Sequence, residues 1–331
     1  MLTKERDQRL HLMRGWAILG VVLTHVTAST YEDITSNFSL LNIYELSANQ
    51  LSRFSVPIFL ILSGIGLTLS KKYEEPYVRF MYSRIRKLIL PYISWTVVYF
   101  VLNRDYRLLT LLKNIFLANA APQLYYIPLL LLLYLVYPVI RKIVTEYKLG
   151  IWVLLLVTIG SQLLFFITGN DLLQRWPMFT NWIFYLGFGI WSTPLLSKMM
   201  TYNKLKVAIA ACLSGVIIII STILLSSFIE PGIASTTQKP TIILYSVLTF
   251  FLLLRTVKRS ALIELLSNYS FQIYLNHMVF LKLFYFLLPA IGLEVDSFVY
   301  QILAFLLIMG CSILFAKLVE KIKFKMNKKI A

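Results

Sequence analysis

Three histidines occur in the 331 residues, and two of them, His25 and His277, fall inside runs of apolar residues. A neutral imidazole, with an ordinary pKa near 6.5, can take a proton from a hydroxyl and return it to a leaving group at neutral pH. On one helix His25 lies 11 residues beyond Arg14, about 16 Å along the axis at 1.5 Å per residue. An ionisable group that deep in an apolar segment is costly and marks a cavity by default. A neutral imidazole hydrogen-bonded to a neighbouring helix fits the composition equally well. His277 stands in Tyr274-Leu275-Asn276-His277, with Lys282 five positions on, where its long stem lets the ammonium snorkel to the outer interface. Arg14, at an expected cytoplasmic helix start, also reads as simple topology marking. The cluster Arg79, Arg84, Arg86 and Lys87 before Pro91 suits cofactor phosphates, lipid headgroups or no specific ligand.

The elements that must position these residues are membrane helices. Hydrophobic residues make up 58% of the chain and charged ones 14%, with a mean hydropathy of +0.74, which excludes an ordinary soluble domain. Apolar runs fall near 12–30, 51–70, 88–103, 123–140, 150–168, 181–197, 207–228, 240–254, 263–289 and 297–316. The expected fold is therefore all-α, a polytopic bundle of about ten transmembrane helices, with residues 1–331 as a single membrane domain carrying no soluble appendage. The termini and alternate loops on one side hold 25 of the 32 Lys and Arg, against 6 on the other, with Lys282 inside a span. That bias places both termini in the cytoplasm. It also explains the net charge of +17 without nucleic acid as a partner. The first run is expected to be retained rather than cleaved, because Thr24 and His25 interrupt it.

Other chemistry is weakly signalled. Cys212 and Cys311 offer no metal spacing or disulfide framework and read as packing residues. No metal is expected. Leu62-Ser63-Gly64-Ile65-Gly66 reads as a close helix contact, not a nucleophile elbow. Acidic residues fall almost entirely in expected loops, which argues against a carboxylate-based proton pump.

Several motifs together resemble one family. Arg14-Gly15-Trp16 through Thr24-His25 resembles the first-span signature of the membrane acyltransferase-3 family. Val56-Pro57-Ile58-Phe59 with Leu62-Ser63-Gly64, Arg84 and Arg86 with Leu90-Pro91-Tyr92 and Trp95, and Leu124-Tyr125-Tyr126 with Tyr134 and Pro138 follow in the family's order. Ser270-Phe271 and Ile273-Tyr274-Leu275 with His277 resemble its late-span motif. The similarity covers essentially the whole chain. One departure is His11, three residues before Arg14, where many members carry an Asp that a histidine does not replace.

The resemblance implies an integral-membrane O-acyltransferase, with acyl-CoA (usually acetyl-CoA) as donor and no permanently bound cofactor. The expected acceptor is a hydroxyl of an exopolysaccharide, capsule or lipid-linked saccharide, in the plasma membrane of a bacterium. It gives His25 and Arg14 catalytic roles; beside it, Arg84 and Arg86 are expected to hold the CoA phosphates, and His277 and Tyr126 to contact substrate. The outer segments 31–50, with Glu32, Asp33 and Glu45, and 104–122 are expected to shape acceptor entry. A polysaccharide export protein is the alternative reading, and transfer to a small lipid, antibiotic or amino acid a weaker third.

Overall fold

In a computed structural model, residues 2–28, 39–104, 106–173, 177–293 and 297–330 are described. They form fifteen α-helices, with no β-strand among the described residues. In order these are α1 (Leu2–Val26), α2 (Leu40–Ser52), α3 (Ser55–Leu69), α4 (Tyr77–Leu102), α5 (Leu108–Leu117), α6 (Tyr126–Leu135), α7 (Tyr137–Glu146) and α8 (Gly150–Thr168). Then follow α9 (Ile183–Ser192), the single turn α10 (Leu196–Met199), α11 (Lys204–Ser226), the single turn α12 (Pro231–Ala234), α13 (Pro240–Thr256), α14 (Ala261–Ala290) and α15 (Phe298–Ile330). Without water to satisfy the backbone, an apolar chain in a bilayer must close its hydrogen bonds within each segment, and helices do so. Ser39, Asn203 and Ser260 start α2, α11 and α14 by accepting from the backbone N–H three residues on.

Six stretches are long and apolar enough to cross a membrane by themselves: Leu40–Leu69, which joins α2 and α3, and α4, α8, α11, α14 and the Phe298–Ile322 part of α15. The helices Leu108–Leu117 and Pro122–Leu135 would make a seventh, bent by 51° at the break between them. The other expected crossings fall on α1, on short α9 with its flanking 3₁₀ turns, and on the 17-residue α13. By length and apolarity alone, six stretches qualify as crossings, or seven with the bent pair, against the ten expected from the apolar runs. Large apolar side chains such as Leu156, Ile217 and Leu306 stay exposed on α8, α11 and α15, as a lipid-facing surface requires. The two cysteines belong to this outer layer rather than the core, Cys212 exposed and Cys311 half-buried.

The interior is built on two close helix pairs, α1 with α14 and α3 with α9. In the second pair Gly64 and Gly189 abut. A methyl group on either would come within 2.3 Å of the Leu186 carbonyl or 2.2 Å of the Ile61 carbonyl. The Ser63-Gly64 segment is therefore a packing device, as its small residues suggest.

Candidate active site

The pairing of α1 with α14 positions both intramembrane histidines. Gly15 lies against α14, where its N–H donates to Ser267 Oγ at 3.0 Å. No side chain would fit there, since a Cβ would stand 2.5 Å from the Ile263 carbonyl oxygen. Ten residues on from Gly15 is His25, and ten residues on from Ser267 is His277. The two helices run parallel, so equal rises of about 15 Å bring the imidazoles side by side. Their ring centroids are 5.2 Å apart and the planes are inclined at 40°. His277 is fully buried, with Nδ1 3.0 Å from the Ile273 carbonyl one turn below. His25 is half-buried, and its remaining surface faces a cavity.

Three cavities follow one another past this pair. The middle one, about 80 Å³, is bounded by His25, Thr24, Arg53, Gln123, Tyr126 and Tyr274 among others. It shares Tyr126 and Tyr274 with a second cavity of about 220 Å³, which holds Arg14, Ser63 and Ser270. It shares Arg53, Tyr125 and Thr237 with a third, of about 440 Å³, lined also by Asn119, Trp182 and Gln238. Arg14 and His25 are three turns apart and therefore on one face of α1. Arg14 meets one chamber and His25 the next, with the Tyr126–Tyr274 pair, 5.7 Å between ring centroids, as the wall between them. The Tyr274 hydroxyl donates to the Gln123 carbonyl, which ties α14 to the break before α6.

Arg53 enters the site from the α2–α3 junction. Its Nε and Nη2 donate to Asn49 Oδ1 at 3.0 and 2.7 Å, and its Nη1 donates to Thr237 Oγ1 at 3.2 Å. Asn49 Nδ2 in turn donates to the Thr24 carbonyl at 2.9 Å, beside His25. The network continues from Gln50 through Thr222 to Lys239, a fully buried lysine in the turn before α13. Lys239 Nζ also donates to the Ala234 carbonyl at 3.2 Å. Burial, reinforced by the charge of Arg53, pulls its pKa down to about 7.

The remaining expected residues are placed as follows. Arg84 is half-buried on α4 with its guanidinium 5.3 Å from the Phe80 ring centroid and 5.4 Å from that of Tyr134. Arg86, two residues on, is exposed, so the two arginines do not converge on one point. Lys282 donates to Asn103 Oδ1 and takes no part in the cavities. Residue 45 departs from expectation: segment 39–52 is helical, and Glu45 is buried, accepting from Gln301 Nε2 at 2.7 Å. Glu32 and Asp33 lie outside the described residues. From segment 104–122, residues 117–119, 121 and 122 do line the largest cavity. Sequence reasoning missed Arg53, Gln123 and Thr237. Arg53 carried a usable signal, a charge near the middle of the continuous 30-residue apolar stretch Leu40–Leu69.

A family model described as an acyltransferase domain, the acyltransferase-3 family, matches residues 7–317. No curated protein and no solved structure matches the chain.

Proposed function

This chain belongs to the acyltransferase-3 family and is a multi-pass membrane acyltransferase; from that premise we propose that it moves an acyl group, most simply acetyl, from cytoplasmic acyl-CoA to a hydroxyl of a cell-envelope saccharide, with His25 as general base. The observation that carries this reading is the His25 cavity, which shares one wall with the Arg14 chamber and another with the Arg53 chamber. About 80 Å³ admits a thioester end and a hydroxyl but not a nucleotide, since whole ligands fill roughly 300–1,000 Å³. Donor and acceptor would then arrive from opposite sides and meet at the imidazole.

The chemistry balances without another reagent. The hydroxyl oxygen attacks the thioester carbonyl carbon while a ring nitrogen of His25 takes the hydroxyl proton. The tetrahedral intermediate collapses, the C–S bond breaks, and the imidazolium returns the proton to the departing thiolate. Arg14, on the same helix face one chamber away, supports the donor arm. Tyr126, in the shared wall, contacts the substrate where the two chambers join. Arg84, stacked on two aromatic rings, suits a CoA phosphate.

The test compares ester content and location of the surface polysaccharide in cells carrying wild type, a deletion, or His25→Ala at matched membrane levels. Polymer exported without O-acyl groups in both mutants is the expected result. Polymer held in the cytoplasm with its esters intact would replace this reading with that of an export protein.

A further inference from the structure

We propose that His277 is a positioning residue that fixes the tautomer of His25, its Nε2 accepting a hydrogen bond from one ring N–H so that the other ring nitrogen of His25 is the proton acceptor. The proposal deepens the reading of His25 as base and rests on it for its catalytic consequence, though not for its geometry.

The argument begins at Ile273. Its carbonyl oxygen can only accept, so the 3.0 Å contact from His277 Nδ1 requires the proton on Nδ1. A neutral imidazole has one N–H, which leaves Nε2 a bare acceptor. That atom is buried, the residue is 0% exposed, and it has no partner among the described residues. Two rings with polar atoms neighbour it, Tyr274 at 6.4 Å and His25 at 5.2 Å between centroids. The Tyr274 hydroxyl is already committed to the Gln123 carbonyl. Of the two neighbouring rings, His25 is the one with a donor left, its ring making no hydrogen bond among the described residues.

At 5.2 Å between centroids and a 40° tilt, the two imidazoles are close enough for a ring nitrogen of one to reach a ring nitrogen of the other. Rotation of His25 about χ2, a broad torsion in histidine, swings one of its nitrogens toward His277 Nε2 while the Nδ1 contact to Ile273 is kept. The roles do not reverse, because His25 lines the cavity and His277 does not. When His25 takes the hydroxyl proton, its N–H toward His277 becomes a charge-assisted donor, which stabilises the imidazolium through the step.

With three histidines in the chain, ¹⁵N-histidine labelling of the full-length protein in lipid nanodiscs yields three imidazoles, and His11→Gln removes the one outside the site. Wild type is expected to show a through-hydrogen-bond ¹⁵N–¹⁵N coupling between the His25 and His277 rings and a single neutral tautomer of His25. In His277→Phe the His25 signals should split between both tautomers. In His277→Asn, whose Oδ1 can accept, they should return to one. Turnover should fall tenfold or more in His277→Phe, within the ~10²–10⁴ that a general base contributes, with KM for acetyl-CoA unchanged and partial recovery in His277→Asn. Absence of the wild-type coupling overturns the proposal even if His277→Phe does not fold, and so does a His25 tautomer indifferent to residue 277. A wild-type protein that shows the coupling but transfers no acyl group would instead refute the acyltransferase mechanism.

Discussion

Gly15→Ala is the substitution that tests most directly how the two helices hold the histidines in register. The added Cβ would lie 2.5 Å from the Ile263 carbonyl oxygen, 2.8 Å from Ser267 Oγ and 3.1 Å from Ile263 Cγ2. Carbon–oxygen contacts between packed helices settle at about 3.3–3.6 Å, so α1 and α14 must part locally by roughly 0.8 Å. The Ile263 oxygen belongs to the backbone of a long helix and cannot rotate away as a side chain would. Overpacking of this kind costs about 1–3 kcal/mol, offset by up to about 1 kcal/mol from the better helix propensity of Ala. The functional loss should be larger, because a displacement near 1 Å between reacting groups can cost on the order of 10²-fold in rate. Gly160→Ala is the control: that glycine meets nothing within 4 Å, so only the propensity gain applies. Saccharide O-acylation in isolated membranes, normalised to inserted protein, and thermal unfolding in detergent should separate the two variants. Wild-type activity in Gly15→Ala would refute the idea that this crossing sets the site, and Ser267→Gly should not rescue Gly15→Ala, since the backbone oxygen remains.

Two further outcomes are expected. Arg84→Leu should raise KM for acyl-CoA about ten- to a hundredfold, the value of a charge-assisted hydrogen bond, whereas exposed Arg86→Leu should leave KM nearly unchanged; steady-state kinetics with varied acyl-CoA decides between them. For Lys239, the folded pKa of about 7 lies below its ordinary 10.5, so between those values the unfolded chain binds a proton that the folded one does not. Stability should therefore rise with pH across that window, by up to about 1.4 kcal/mol per unit, and be flat below pH 7 as far as this group is concerned. Lys239→Met should remove that slope, as read from unfolding midpoints in detergent between pH 6.5 and 9.5.

Much of this was legible in the sequence, and the parts that were not share a cause. The apolar runs give the helical membrane class because hydropathy is a local property. Crossing number is less local: α9 has only ten helical residues between 3₁₀ turns, and α5 and α6 are bent apart at Pro122. Arg53 reads as a boundary charge until α2 and α3 are seen to run on as one apolar stretch, and Glu45 reads as a loop carboxylate until α15 covers it. His25 and His277 were each noticed as out of place in lipid. Their contact could not be read, because it depends on how Gly15 seats against Ile263 and Ser267, 248 and 252 positions away in the chain.

The Tyr126–Tyr274 wall has a consequence for energetics across the bilayer. On the proposed reading, what passes it is an uncharged acyl group, while the proton lost by the hydroxyl is returned to the sulfur within the same site. No net charge then crosses the field, so the reaction is a group translocation driven by the thioester alone. Neither membrane potential nor an ion gradient would be needed to decorate a polymer on the far side. The two tyrosines that divide the chambers would also spare the cell an open pore, since the narrow chamber between its larger neighbours never has to admit the whole of either substrate.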